Sequence, residues 1–394
     1  MKIGIITLSG GENYGCHLQM YAVLKTYEEL GYTPMLIPDN TNNGIKFSYQ
    51  ERSRLSKLTP AYIAAVLRVR TKRKYLIKNQ RDRLIPSVVR KKRNAALYAK
   101  SKNLRSENFN EFQNSYIKQT DFTINKDNIP NDKLAEFDFF SVGSDQVWNP
   151  TYPQVSEVKF LTFAKNNQKL TFAPSFGISE LPEFVKKSYS EWLKEIPMIS
   201  VREEQGAKLI KELTGKEATV ICDPTMTVKR EVWKNLEKKP NFTTDKPFAV
   251  TYFLGNESNK YRRYIYNIAK QKGLQVINLF DIREPDYYTA GPAEFIYLIH
   301  HADAVFTDSF HAAVFSIIFQ KDFVVFERIE DGRSMGSRLK TLLDKFSLSD
   351  RMYSVISKIE FTSPNFSNTE KLLEKERLNA IEFLKNSIEC NLNN

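Results

Sequence analysis

Residues 302–315 constrain the fold more than any other stretch of this chain. A short apolar run, 304–306, breaks at Thr307, Asp308 and Ser309 and re-enters as an apolar helical pattern from about Phe310. Each of the three polar residues can cap a helix with a side-chain oxygen. The turn therefore sits at the carboxyl end of a strand and the positive end of a helix. Open α/β sheets bind ligands at such turns, and the free N–H groups favour anions. His311 stands in the first helical turn, where an imidazole can give or take a proton near neutral pH.

The same alternation runs through the rest of the chain. Residues 2–8 read as a strand, 9–15 as a glycine-rich turn, 18–30 as a helix stopped by Gly31, and 33–37 as a second strand. The glycines do not match Gly-x-Gly-x-x-Gly, which argues against a nicotinamide cofactor. Further strands are expected at 137–142, 170–173, 198–201 and 218–222, each ending in polar residues, with a helix at about 205–213. Lys, Pro and Asn mark 236–246 as a linker. A second alternation then begins, with strands at 248–253, 275–279, 304–306 and 323–326. Helices are expected at about 261–272 and 292–299, from Phe310, from Ser337 and over 368–390, with a loop at 328–336. At 394 residues, two domains are the better reading, 1–238 and 239–394, with the C-terminal helix in the second.

Composition narrows the function classes. Residues 52–105 hold 18 Lys or Arg and one acid, Asp82, against a whole-chain charge of +12. Apolar residues at helical spacing there suggest an inserted set of amphipathic helices with basic faces. Such faces are either simply solvated or suited to anionic lipid or an anionic polymer. No DNA- or RNA-binding motif accompanies the charge, so nucleic acid is not expected. Cys16, Cys222 and Cys390 are odd in number and far apart, which points to a reducing cytoplasm. The N-terminus enters a strand directly without a signal-peptide pattern, and no apolar run is long enough to span a bilayer. His300 and His301, adjacent at a helix end, are expected to point apart and to act as C-terminal capping. With no His/Asp cluster at metal spacing, no metal is expected. His17, near the first turn, is a minor candidate.

Seven short motifs occur in an order that resembles the polysaccharide pyruvyl transferases. They are Gly11-x-Asn13-Tyr14-Gly15, the run from Gly143 through Ser144, Asp145, Gln146, Val147 and Trp148 to Asn149, Ala173-x-Ser175-Phe176-Gly177, Ser200-Val201-Arg202-Glu203, Asp223-Pro224-Thr225, Thr307-Asp308-Ser309-Phe310-His311 and Ser337-Arg338-Leu339. The resemblance covers about residues 1–346. It implies a GT-B-like α/β fold: two Rossmann-like domains with mostly parallel sheets facing a central cleft. It also implies transfer of the pyruvyl group of phosphoenolpyruvate, as co-substrate and with no other cofactor, onto a sugar as a ketal. The acceptor would be a polysaccharide or lipid-linked glycan intermediate met in the cytoplasm or at the inner membrane face. Two positions depart from the family pattern: Cys16 stands where Asp is frequent, and Ser309 where Arg is frequent.

That chemistry needs a proton on the methylene carbon, a grip on a carboxylate and a phosphate, and positioned hydroxyls. His311 is the expected acid and can also deprotonate the sugar hydroxyl. Arg202, which follows a strand, can hold an oxyanion with two hydrogen bonds, or can pair with Glu203, Glu204 or Asp223. Arg338 at a helix start has the wrong sign for the helix dipole, which suggests an anionic ligand. Arg328, Asp308 and Ser309 complete the expected donor side, the last two by capping or through their N–H groups. Asn13, Ser144, Asp145, Gln146 and Ser175 form the expected acceptor side. Trp148 is either a sugar-stacking platform or a core anchor. Two other readings stand beside this one: a GT-B nucleotide-sugar glycosyltransferase, and a non-enzymatic binder of anionic polymer or membrane.

Overall fold

A computed structural model describes residues 1–41, 87–242, 246–255, 257–282, 284–330, 333–334, 337–357 and 360–393, with side chains excepted at 87–97 and 329–337. The expected basic faces over 52–96 lie outside the residues and side chains described.

The first sheet holds β1 (Lys2–Ile6), β2 (Thr33–Leu36), β3 (Phe139–Val142) and β4 (Lys169–Thr171) in the order β2-β1-β3-β4, all parallel. A parallel pair, β5 (Ile199–Val201) and β6 (Ala218–Val220), extends it: the Ser200 N–H donates to Thr171 Oγ1 at 2.7 Å. The second sheet holds β7 (Phe248–Tyr252), β8 (Gln275–Asn278), β9 (Ala304–Thr307) and β10 (Asp322–Val325), again all parallel, in the order β10-β9-β7-β8. β3, β7 and β9 are buried along their whole length. Such strands read as unbroken apolar runs because helices cover both faces of the sheet. Inside the expected loop 328–336, β11 (Ile329–Glu330) and β12 (Arg333–Ser334) pair antiparallel.

The longer helices are α1 (Tyr14–Glu29), α2 (Ser87–Tyr116), α3 (Glu183–Lys194), α4 (Glu204–Thr214), α5 (Arg230–Leu236), α6 (Asn259–Lys272), α7 (Pro292–His301), α8 (Phe310–Ile318), α9 (Ser337–Lys345) and α10 (Thr369–Leu392). Side-chain caps set several starts: Ser258 accepts from the Tyr261 N–H, and Ser309 from the Ala312 N–H. α1 begins four residues before the periodicity indicated. Asn13 Oδ1 accepts from the Gly15 N–H at 2.9 Å, so the motif Asn-Tyr-Gly is a helix start and not a loop.

The two sheets share one continuous core. The Tyr14 ring stacks on Phe295 of α7 at 4.4 Å, and its hydroxyl donates to the Ala290 carbonyl at 2.9 Å. α2 packs against α1 on one side and α7 on the other. From it, Arg105 reaches the Tyr14 hydroxyl, the Glu12 carbonyl and the Tyr288 carbonyl, with its guanidinium over the Tyr14 and Phe109 rings. Arg105 is therefore not part of a solvated basic face: its side chain is buried as a pin between the domains. The C-terminal helix α10 also crosses back. Asn391 Nδ2 donates to the Lys169 carbonyl of β4 at 3.0 Å, and Cys222 Sγ donates to the Glu376 carbonyl.

Candidate active site

A cavity of about 420 Å³ opens where the carboxyl ends of β1 and β3 face those of β7 and β9. The first domain lines it with Asn13, Cys16, Asp39, Asp145, Gln146 and Lys159, and the second with Asp308, Ser309, Phe310, His311, Arg328 and Arg338. Parallel sheets put every strand's carboxyl end on one side, so two such sheets set face to face pool their polar turns.

His311 is held by the opposite domain. A Cβ built on Gly15 would lie 2.0 Å from His311 Nδ1, so the imidazole packs against the glycine in the first turn of α1. Gly15 is thus required by proximity, not by its backbone angles. His311 Nε2 lies 3.6 Å from Asp223 Oδ2, too long for a hydrogen bond. It is buried with no hydrogen-bond partner among the described residues. Asp223 Oδ2 also accepts from Arg202 Nη1 at 2.6 Å, while Oδ1 accepts from the Thr225 N–H and hydroxyl. Burial alone would raise the Asp223 pKa. His311, Arg202 and Thr225 outweigh it and hold the carboxyl far below the usual range.

Arg202 is therefore engaged differently from the expectation. Its guanidinium is neutralised by Asp223 and by Asp145 Oδ1 at 3.2 Å, covers the Phe310 ring at 4.5 Å, and does not reach the cavity wall. Its pairing with Asp223 is one of the alternatives the sequence left open. Arg338, like Arg328, does line the cavity. Its Nη1 lies 3.7 Å from Asp145 Oδ1, and its Nε is buried without a hydrogen-bond partner among the described residues. Burial and the nearby Arg202 charge lower the Arg338 pKa from its ordinary value, with Asp145 and Glu203 opposing. Asp145 sits between the two guanidiniums with φ 64, in the left-handed region that Asp tolerates better than most residues. Burial raises its pKa, but Arg202, His311 and Arg338 bring it below the usual carboxylate value.

Several expected site residues serve structure instead. Trp148 is fully buried, stacked on Phe160 at 5.4 Å with its Nε1–H donating to the Lys159 carbonyl, so no sugar can stack on it. Ser175 is buried and donates to Glu203 Oε1. Ser144 is buried behind the cavity, donating to the Ala173 carbonyl and facing Asp223. The Ser309 N–H, expected to meet phosphate, donates instead to Thr307 Oγ1. Asp308 accepts from the Leu254 and Gly255 N–H groups, which ties the end of β9 to the turn after β7. Asn13 lines the cavity, but its side-chain Oδ1 caps α1. Gln146 lines the cavity while accepting from Asn149 Nδ2, its amide packed so tightly on Gly177 that a Cβ there would lie 1.9 Å away.

Sequence reasoning named Asp223 only as a pairing alternative for Arg202 and missed Gly15 and the buried pair Lys159–Asp39. Lys159 Nζ lies 3.0 Å from Asp39 Oδ2 and donates to the Thr7 carbonyl. Asp223 and Gly15 stood in recognised motifs and could have been read from them, whereas nothing local marks Lys159 as buried. Burial raises the Cys16 thiol pKa, and the thiol donates to the Leu8 carbonyl, so it is a neutral wall group where the family often has a carboxylate. The expectation that His300 and His301 point apart is also corrected. Their rings lie 4.6 Å apart and both meet Glu237, because at the last turn of α7 the side chains can splay back toward one carboxylate.

The fold and site together define a two-domain α/β protein of the GT-B type, with a polar interdomain cavity lined by His311, Arg328 and Arg338. The sequence matches the family described as polysaccharide pyruvyl transferase over residues 13–329, and the chain belongs to that family. No curated protein matches it. Similar solved structures include the UDP-GlcNAc 2-epimerase from Neisseria meningitidis bound to UDP-GlcNAc, at 10% identity and TM-score 0.39, covering 96% of this chain and 100% of that one. Another is the UDP-GlcNAc 2-epimerase from Methanocaldococcus jannaschii, at 12% identity and TM-score 0.42, covering 95% and 99%. A third is a glycosyltransferase from Rickettsia africae ESF-5, at 10% identity and TM-score 0.38, covering 100% and 96%. Among the described residues no helix is long and apolar enough to cross a membrane.

Proposed function

We propose that this protein transfers the pyruvyl group of phosphoenolpyruvate to a glycan, forming a ketal and releasing phosphate. The observation that carries this reading is the pair of buried nitrogens without a hydrogen-bond partner among the described residues, His311 Nε2 and Arg338 Nε, on two residues that line the cavity. A buried donor without an acceptor costs on the order of 1–3 kcal/mol, and an anionic ligand would recover it. The family membership supports the same donor.

In this reading Arg338, with Arg328 beside it, faces the carboxylate and phosphate. An α-helix leaves its first-turn amides without intrahelical acceptors, and those of α8 add to the positive end. His311, protonated and balanced by Asp223, gives its proton to the methylene carbon. The adjacent carbon gains positive character, a sugar hydroxyl adds to it, and the hydroxyl proton returns to the imidazole. A second hydroxyl displaces the phosphate, which leaves with that hydroxyl's proton. Arg202 is a positioning residue that holds Asp223 and Asp145. Asp145, Gln146, Asn13 and the Lys159–Asp39 pair form the acceptor side. A polysaccharide precursor or lipid-linked intermediate fits as acceptor, and contact of the basic segment 52–96 with an anionic membrane belongs to the same proposal.

A thermal-shift titration tests the reading. At a hundred times its Kd, phosphoenolpyruvate adds about 2.7 kcal/mol of stability. Wild type is expected to show a saturable rise in melting temperature, and Arg338→Gln to lose it. A rise with a nucleotide sugar and none with phosphoenolpyruvate would replace this reading with glycosyl transfer.

A further inference from the structure

We infer that Glu237, His300 and His301 form a binding site for a divalent transition metal, separate from the cavity. Glu237 is the residue that ends α5, where the chain leaves the first domain, and the two histidines close α7 of the second. His300 Nδ1 lies 2.8 Å from Glu237 Oε2, and His301 Nε2 lies 3.3 Å from Glu237 Oε1. The three ligand-capable atoms all fall within 4.8 Å of one another. A tetrahedral ion with bonds of about 2.0–2.2 Å needs donors roughly 3.3–3.6 Å apart, so the widest separation would close by up to about 1.5 Å on binding.

The donor chemistry selects the class of ion. Two imidazoles and one carboxylate suit Zn²⁺, Co²⁺ or Cu²⁺, whereas Mg²⁺ and Ca²⁺ prefer all-oxygen sets. The rings are braced in place: His300 stacks on Phe319 at 4.5 Å and His301 on Tyr297 at 4.1 Å. The site stays accessible, since the His301 side chain is 42% exposed. Beside it, the Lys238 N–H already donates to the Ala293 carbonyl at 3.1 Å, pinning the same crossover to the start of α7. A bound ion would clip the interdomain crossover to the second domain, which assigns it a structural role.

The test uses the full chain without an affinity tag, stripped with chelator and titrated with Zn²⁺ by calorimetry and with Co²⁺ by visible absorption. One saturable equivalent is expected, with the absorption bands of low-coordinate Co²⁺ and a rise in melting temperature. Glu237→Gln and His301→Ala should each weaken binding at least tenfold, while phosphoenolpyruvate binding stays unchanged. His301 is the more exposed histidine, so its variant is expected to fold. Wild-type affinity in either variant, or no saturable binding by the wild type, overturns the inference.

Discussion

Replacing Gly15 with alanine puts the joint between the domains to a direct test. In an ordinary helical position this change stabilises by roughly 0.5–1 kcal/mol, because glycine loses more backbone entropy on folding. Here the new methyl would lie 2.0 Å from His311 Nδ1, where ordinary Cβ contacts begin at 3.4 Å, so the ring or the helix must yield by roughly 1.4 Å. Overpacking of this kind costs about 1–3 kcal/mol, and a catalytic group moved by about 1 Å loses on the order of 100-fold in rate. The expected outcome is a net destabilisation of about 1–2 kcal/mol in urea, with turnover down about 100-fold. Turnover is read as phosphate released from phosphoenolpyruvate with acceptor glycan present. The double variant Gly15→Ala, His311→Ala removes the clash, so the methyl should stabilise it relative to His311→Ala alone. A Gly15→Ala protein that is more stable than wild type and fully active would refute the packing of the imidazole on α1.

Other substitutions separate site from scaffold. Asp223→Asn removes the charge that balances His311 and Arg202; turnover per folded molecule should fall by about 100-fold or more, with folding checked by circular dichroism. Burial holds the His17 pKa below its usual value, so the unfolded chain takes up that proton first. The stability it contributes is present above pH of about 6.5 and is lost as pH falls toward the folded pKa, with a slope of at most about 1.4 kcal/mol per pH unit. Urea midpoints at pH 7.5 and 5 should therefore differ less in His17→Gln than in wild type. Arg105→Met leaves the Tyr288 carbonyl without its buried donor and should cost roughly 2 kcal/mol or more by urea denaturation. Trp148→Phe should lower stability by about 1 kcal/mol or more while leaving KM for acceptor unchanged, since the indole touches only protein core.

The strand–helix alternation is local and was legible without coordinates. Both halves show it, β9 and α8 begin where the polar turn 307–309 put them, and α9 and α10 start within a residue of the expected points. Burial period and capping chemistry act over a few residues, and that is the distance a sequence displays. The site divides along the same line. Motif residues such as His311, Asp145 and Arg338 were identifiable because they stand at strand ends and helix starts. Which of them meets the cavity was not, because that depends on partners far along the chain: Arg202 is drawn away by Asp145, 57 residues back, and by Asp223, 21 residues on. The imidazole lodged against Gly15 and the meeting of His300 and His301 on Glu237 were likewise decided by how the two domains pack, and the burial of Trp148 by packing among Phe160, Phe176 and Tyr189 within the first. The sequence by itself determined which segments become strands and helices and which residue types crowd their ends. Only the tertiary structure decided which charges neutralise one another and which line the cavity, because charge pairing over a few ångströms depends on distance in space and not on separation along the chain.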